Sequence, residues 1–155
     1  MDESIAAALC ALLAWAAACD VRRRVIPNWV SMALAALFIL TAMVEPGRFD
    51  PAGALAAGAV TFTVLFAAYL GGLLGGGDVK LMTAAALWAG LSGLPALLLG
   101  TALFGGLLAA AVLVRRGLRR LRAGGRNTTA GRDGLPYGVA IAAAALLSNP
   151  LLFPG

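Results

Sequence analysis

A chain of 155 residues in which 61% are apolar and only 12% charged carries too little polar surface to fold as a soluble globule. Its formal charge of +5 comes from basic residues in short segments between apolar runs, with no aromatics interleaved, which argues against a nucleic-acid-binding module. Two cysteines, Cys10 and Cys19, and no histidine leave no basis for a disulfide framework or a zinc site, and no cofactor is expected.

In chain order, the first apolar run spans Ser4 to Cys19. Its acidic start, Met1-Asp2-Glu3, lacks the basic residues of a cleavable signal, so it reads as a retained helix that lengthens through Asp20 toward Arg22, Arg23 and Arg24. A second run covers Trp29 to Val44, with Trp29 where an interfacial aromatic belongs. Glu45-Pro46-Gly47 and Asp50-Pro51 break the chain before a third run, Ala52 to Leu74. Beyond Gly75-Gly76-Gly77-Asp78 come a short fourth run, Leu81 to Leu94, and a fifth, Pro95 to Val114. A basic, Gly- and Thr-rich stretch at about 115–135 reads as a connector, and the last run is Pro136 to Phe153. Runs near the ~20 residues that cross a bilayer core predict an all-α, polytopic membrane protein of six transmembrane helices, forming one domain over 1–155.

If the six alternate across the bilayer, the segments at 20–28, 75–80 and 115–135 share one side. Eleven basic residues fall there, against Arg48 alone on the other, so that side is predicted to be cytoplasmic and both termini periplasmic.

Alternation also selects two of the seven carboxylates. Asp20 closes the first run and Asp78 opens the fourth, so both lie at one depth on the cytoplasmic side, and an ionisable group there is a functional candidate. Each has a plainer reading. Asp20 can pair with Arg23 or Arg24 along its own helix, and Asp78 can cap the fourth helix. As a pair beside glycines they suit water attack on a peptide bond: one ionised carboxylate takes a proton from water, while the other, protonated, polarises the carbonyl. Two such groups a few ångströms apart do not both ionise cheaply, so the pair is expected to hold a single proton. Without histidine there is no Ser-His or Cys-His arrangement, and a Ser-Lys pair would have to join Ser31 to Lys80, the only lysine. Gly75 and Gly77 clear room for a substrate backbone, and Lys80 either steadies negative charge on the pair or faces lipid headgroups. The three arginines after Asp20 are expected to face anionic lipid.

Three elements in this order resemble the type IV prepilin peptidases, membrane aspartic enzymes of the GxGD type. Gly75-Gly76-Gly77-Asp78-Val79-Lys80 is similar to that family's GxGDxK signature. Asp20, followed by Val21-Arg22-Arg23-Arg24-Val25-Ile26-Pro27-Asn28, resembles its first aspartate with a basic stretch and an Ile-Pro-Asn element. Pro136-Tyr137-Gly138-Val139-Ala140-Ile141 resembles the opening of its last core helix. The resemblance implies that Asp20 and Asp78 are catalytic, that Gly75, Gly77 and Lys80 support them, and that the substrate is the basic leader of a prepilin or pseudopilin precursor, cut at the cytoplasmic face of the bacterial inner membrane. Larger members carry an insert with two CxxC pairs and methylate the cleaved pilin. This chain has neither the insert nor those cysteines, so methyltransfer is not expected, and its compact architecture is similar to the short peptidases of tight-adherence (Flp) pili, with the related archaeal preflagellin peptidases as the alternative within the resemblance. The competing reading is a small transporter or channel component using Asp20 and Asp78 as ion sites.

Overall fold

A computed structural model describes residues 2–122 and 137–147 of the chain. All its regular structure is helical: α1 (Asp2–Arg23), α2 (Asn28–Val44), α3 (Pro51–Leu70), α4 (Gly76–Arg122) and α5 (Tyr137–Leu147). Pro27, extended at φ −63° and ψ 135°, precedes α2, and Asp50 caps α3 by accepting from the Ala52 N–H with Pro51 in the first turn. α1 runs past Asp20 to Arg23, as the snorkelling arginines lead one to expect. α3 ends at Leu70, short of the predicted Leu74, because Gly71 and Gly72 close it, the latter at φ +71°. Residues 123–136 and 148–155, which hold most of the predicted connector and the end of the last run, lie outside the described residues.

The predicted boundary between the fourth and fifth runs needs correction. It falls not at Leu94–Pro95 but at Gly90, whose φ of 63° and ψ of −176° interrupt α4. That region is accessible essentially to glycine alone. Pro95 then sits inside the helix that follows, just past its first turn, where it removes one intrahelical donor without ending the helix. A Cβ at Gly90 would meet nothing within 4 Å, so Gly90→Ala tests backbone strain alone. It should destabilise the protein by about 1–3 kcal/mol. Gly106→Ala, equally open but helical, should be neutral or stabilise by up to about 1 kcal/mol. Thermal unfolding of the two variants in detergent checks the contrast.

α4 is the central element, packed against α2, α3 and α5, while α1 packs on α2 and α5. The core is built from Leu9 and Leu13 of α1, Leu34 of α2, Leu81 and Leu97 of α4, and Ile141 and Ala144 of α5, all buried. Small residues let the helices close up: a Cβ at Gly100 would stand 3.0 Å from that of Ala144, and one at Gly58 would stand 2.8 Å from a Leu87 methyl. At the end of the bundle away from the aspartates, Phe38, Phe49 and Trp88 form an edge-on cluster, and the Trp88 indole donates to the Leu34 carbonyl at 3.0 Å.

Much of the described exterior is apolar. Met43 is 75% and Leu103 73% exposed, and Phe62, Phe66 and Tyr69 stack in the open along α3. Such a surface belongs in lipid. Three stretches, Glu3–Arg23, Pro51–Leu70 and Gly76–Arg115, are long and apolar enough to cross a membrane, and Asn28–Val44 and Gly138–Leu147 are shorter apolar helices. Hydroxyls on these helices bond back to their own backbone, as Thr41 does to Leu37 and Thr101 to Leu97, both at 2.8 Å.

Candidate functional site

The site assembles at three helix ends. Asp20 lies in the last turn of α1, 6% exposed. Its carboxylate reaches the start of α5, where Oδ2 accepts from the Gly138 N–H at 2.6 Å and the carboxylate also accepts from Val139. These amides are among the first of α5 and have no partner within their own helix, so Asp20 serves as an external cap at the positive end of that helix.

Asp78 sits in the first turn of α4. The Gly75 carbonyl accepts from the Asp78 and Val79 amides at 3.1 and 3.3 Å, which makes Gly75 the capping residue and Asp78 the third helical one. From there the carboxyl reaches back to the Gly75 N–H. Asp78 therefore closes the helix end from inside and is not itself the N-cap.

Both carboxyl groups line one open cavity of about 640 Å³, together with Gly75, Gly77, Asn28, Arg24 and Lys80. The Asp20 charge acts directly on Asp78. All five residues singled out in the sequence, Asp20, Asp78, Gly75, Gly77 and Lys80, thus meet in a single place. The ammonium of Lys80 donates to Asn28 Oδ1 at 3.0 Å, which ties the start of α2 to α4 at the cavity wall. It makes no bond to Ser31, whose hydroxyl is buried without a hydrogen-bond partner, so no Ser-Lys pair forms. No group of three or more His, Cys, Asp or Glu side chains that could hold a metal occurs among the described residues.

Two residues that the sequence did not single out shape the geometry. Ile26, buried between the two acidic ends, touches both: a Cβ at Gly77 would stand 3.2 Å from its Cβ, and one at Gly138 would stand 2.9 Å from its Cδ1. Ile26 is thus the spacer that sets how closely α4 and α5 approach around the carboxyls. Gly138 is bare because Asp20 needs the room: a Cβ there would fall 2.8 Å from Asp20 Oδ2. The advance signals were Ile26 in the Ile-Pro-Asn element and the glycine at the third place of Pro136-Tyr137-Gly138.

The three arginines do not share one fate, contrary to the expectation that all face lipid. Arg22 and Arg23 line a separate pocket, whereas Arg24 turns into the aspartate cavity and its charge acts on Asp20. The turn is made by the backbone, since Arg24 is left-handed at φ 53° while its N–H closes α1 on the Asp20 carbonyl at 2.9 Å. A glycine is the usual occupant of that position. Arg24→Gly should therefore raise stability by about 1 kcal/mol, read as a higher unfolding temperature, although it removes a charge from the cavity.

A family model described as the type IV leader peptidase family matches residues 7–110 of the chain, a stretch that contains both aspartates and the glycine loop. No curated protein and no solved structure matches it.

Proposed function

Because this chain belongs to the type IV leader peptidase family, we propose that it is an aspartic endopeptidase in which Asp20 and Asp78 hydrolyse the peptide bond joining a basic leader to a prepilin-like precursor. The observation that supports this reading is that two carboxyl groups, a buried Asp20 and a partly buried Asp78, line one glycine-walled cavity open to solvent.

The chemistry follows from the pair. Water held between the carboxyls loses a proton to the ionised one as its oxygen attacks the scissile carbonyl carbon, and the protonated one gives its hydrogen to the carbonyl oxygen. The tetrahedral diol collapses: the C–N bond breaks, its electrons go to nitrogen, and the nitrogen takes the proton held by the first carboxyl. As the carbonyl re-forms, the second carboxylate takes back a hydroxyl proton from the diol. The leader therefore leaves as a carboxylic acid and the other product as a free amine, which exchange to carboxylate and ammonium in water, and the pair again holds one proton. Bare Gly75 and Gly77 allow an extended backbone to lie against the acids, where side chains would hold it off.

In the membrane, we assign six crossings with both termini periplasmic and the cavity at the cytoplasmic face of the inner membrane, the whole chain acting as one peptidase domain. The length of α4 supports this. Gly76–Arg115 comprises 40 residues, which as one straight helix would run about 60 Å, twice the ~30 Å hydrocarbon core, and the Gly90 break divides it. A transporter reading is less well served: both carboxyls stand at helix ends, and no other acidic side chain lies within α2 to α5 among the described residues, so no relay leads from the cavity across the bilayer. Co-expression with a precursor bearing a basic leader tests the function. Loss of the leader on a gel, with a new amino terminus at the leader boundary, is expected; an intact precursor beside inserted protein would favour the transporter.

A further inference from the structure

A second pocket lies on the other side of α1 from the buried Asp20 and plays no part in the chemistry above. It has a volume of about 220 Å³ and is walled by Trp15, Cys19, Arg22 and Arg23 of α1 and by Pro27 and Trp29. Trp15, Cys19 and Arg22 or Arg23 recur at helical spacing, so they stand in a column along one face of the helix. The two indoles, 56% and 51% exposed, lean together with centroids 6.5 Å apart at 48°. Among the described residues, no carboxylate lines the pocket.

We propose that this pocket binds the headgroup of an anionic phospholipid, with the phosphate on Arg22 and Arg23 and the glycerol and first acyl carbons against Trp15 and Trp29. The order of residues along α1 carries the assignment. The guanidinium groups sit at the helix end, and Trp15 lies about 10 Å nearer the middle of the helix, so charge and apolar surface follow each other in the sequence that a lipid presents, head before tail. A free phosphate ion uses the arginines but leaves the indole wall idle. Two adjacent guanidinium groups, with no acidic side chain among the described residues of the pocket, select a negative headgroup over a zwitterionic one. This reading needs only that the chain lies in a bilayer and stands apart from the peptidase assignment.

The tryptophans report on it. The full chain is reconstituted in phosphatidylcholine vesicles holding a rising fraction of brominated phosphatidylglycerol or, in parallel, of brominated phosphatidylcholine, and tryptophan fluorescence is followed. Trp88, 3% exposed, supplies the constant background. Half-maximal quenching is expected at a roughly fivefold lower fraction of the brominated anionic lipid. The preference should vanish in the Arg22→Gln, Arg23→Gln variant and persist in Arg115→Gln, Arg116→Gln, which removes the same charge elsewhere. Equal quenching by the two lipids in the unaltered protein overturns the proposal, as does an equal loss in both double variants, which would mean diffuse charge attraction. If millimolar inorganic phosphate abolishes the preference while chloride at matched ionic strength does not, the ligand is a phosphate ion and the lipid assignment falls.

Discussion

Replacing either aspartate by asparagine should lower cleavage of a leader-bearing precursor by roughly a thousandfold or more, because each takes away one half of a proton exchange that the other cannot complete alone. The double variant should be hardly worse than either single one, as expected of groups that act as a unit. Asparagine is the right probe here. Its carbonyl oxygen can still accept from the Gly138 amide in place of Asp20, or from Gly75 in place of Asp78, so both helix ends stay closed. Asp20→Ala, in contrast, would leave two α5 amides unbonded and should cost about 1–2 kcal/mol of stability on top of the activity. Unchanged unfolding temperatures for the asparagine variants, measured beside the cleavage rates, separate chemistry from folding.

Gly138→Ala should be the most damaging substitution that touches no acidic residue. The added methyl would come within 2.9 Å of both Asp20 Cγ and Ile26 Cδ1, and Asp20 is too short to move its carboxylate aside and keep the 2.6 Å bond to the Gly138 amide. Either the acid shifts or α5 backs away, and a displacement near 1 Å at a reacting group costs about a hundredfold in rate. The overpacking itself should destabilise the protein by about 1–3 kcal/mol. The expected signature is a fall in kcat with KM nearly kept, since the substrate still meets the same glycine loop. A variant whose KM alone rises would mean that Gly138 shapes the substrate groove and not the acid.

Much of the site was legible before the fold. The apolar runs marked the helices, Asp20 and Asp78, which the structure brings to one cavity, stood out as carboxylates at the ends of such runs, and Gly75-Gly76-Gly77 marked the approach to Asp78. These are local signals, carried by composition and by neighbours in the chain. Three features were not legible for definite physical reasons. Twenty glycines are available, and nothing local says that Gly90 is the one to leave the helical region, so Pro95 drew the boundary instead. The bond from Gly138 to Asp20 joins residues 118 apart, and no periodicity reaches that far. Arg24 parts company with Arg22 and Arg23 because its own backbone turns left-handed, which an arginine gives no hint of doing.

Everything functional in this account depends on Asp20 and Asp78 facing each other across shared water. The direct measurement is cross-linking in native membranes of a chain carrying Asp20→Cys and Asp78→Cys, with Cys10 and Cys19 changed to serine. A bifunctional thiol reagent spanning about 5 Å, the reach of two hydrogen bonds through one water, should join the pair within a single chain. If only reagents well beyond ~10 Å bridge them, or none does while each cysteine alone reacts freely, the two acids do not meet and the dyad is contradicted.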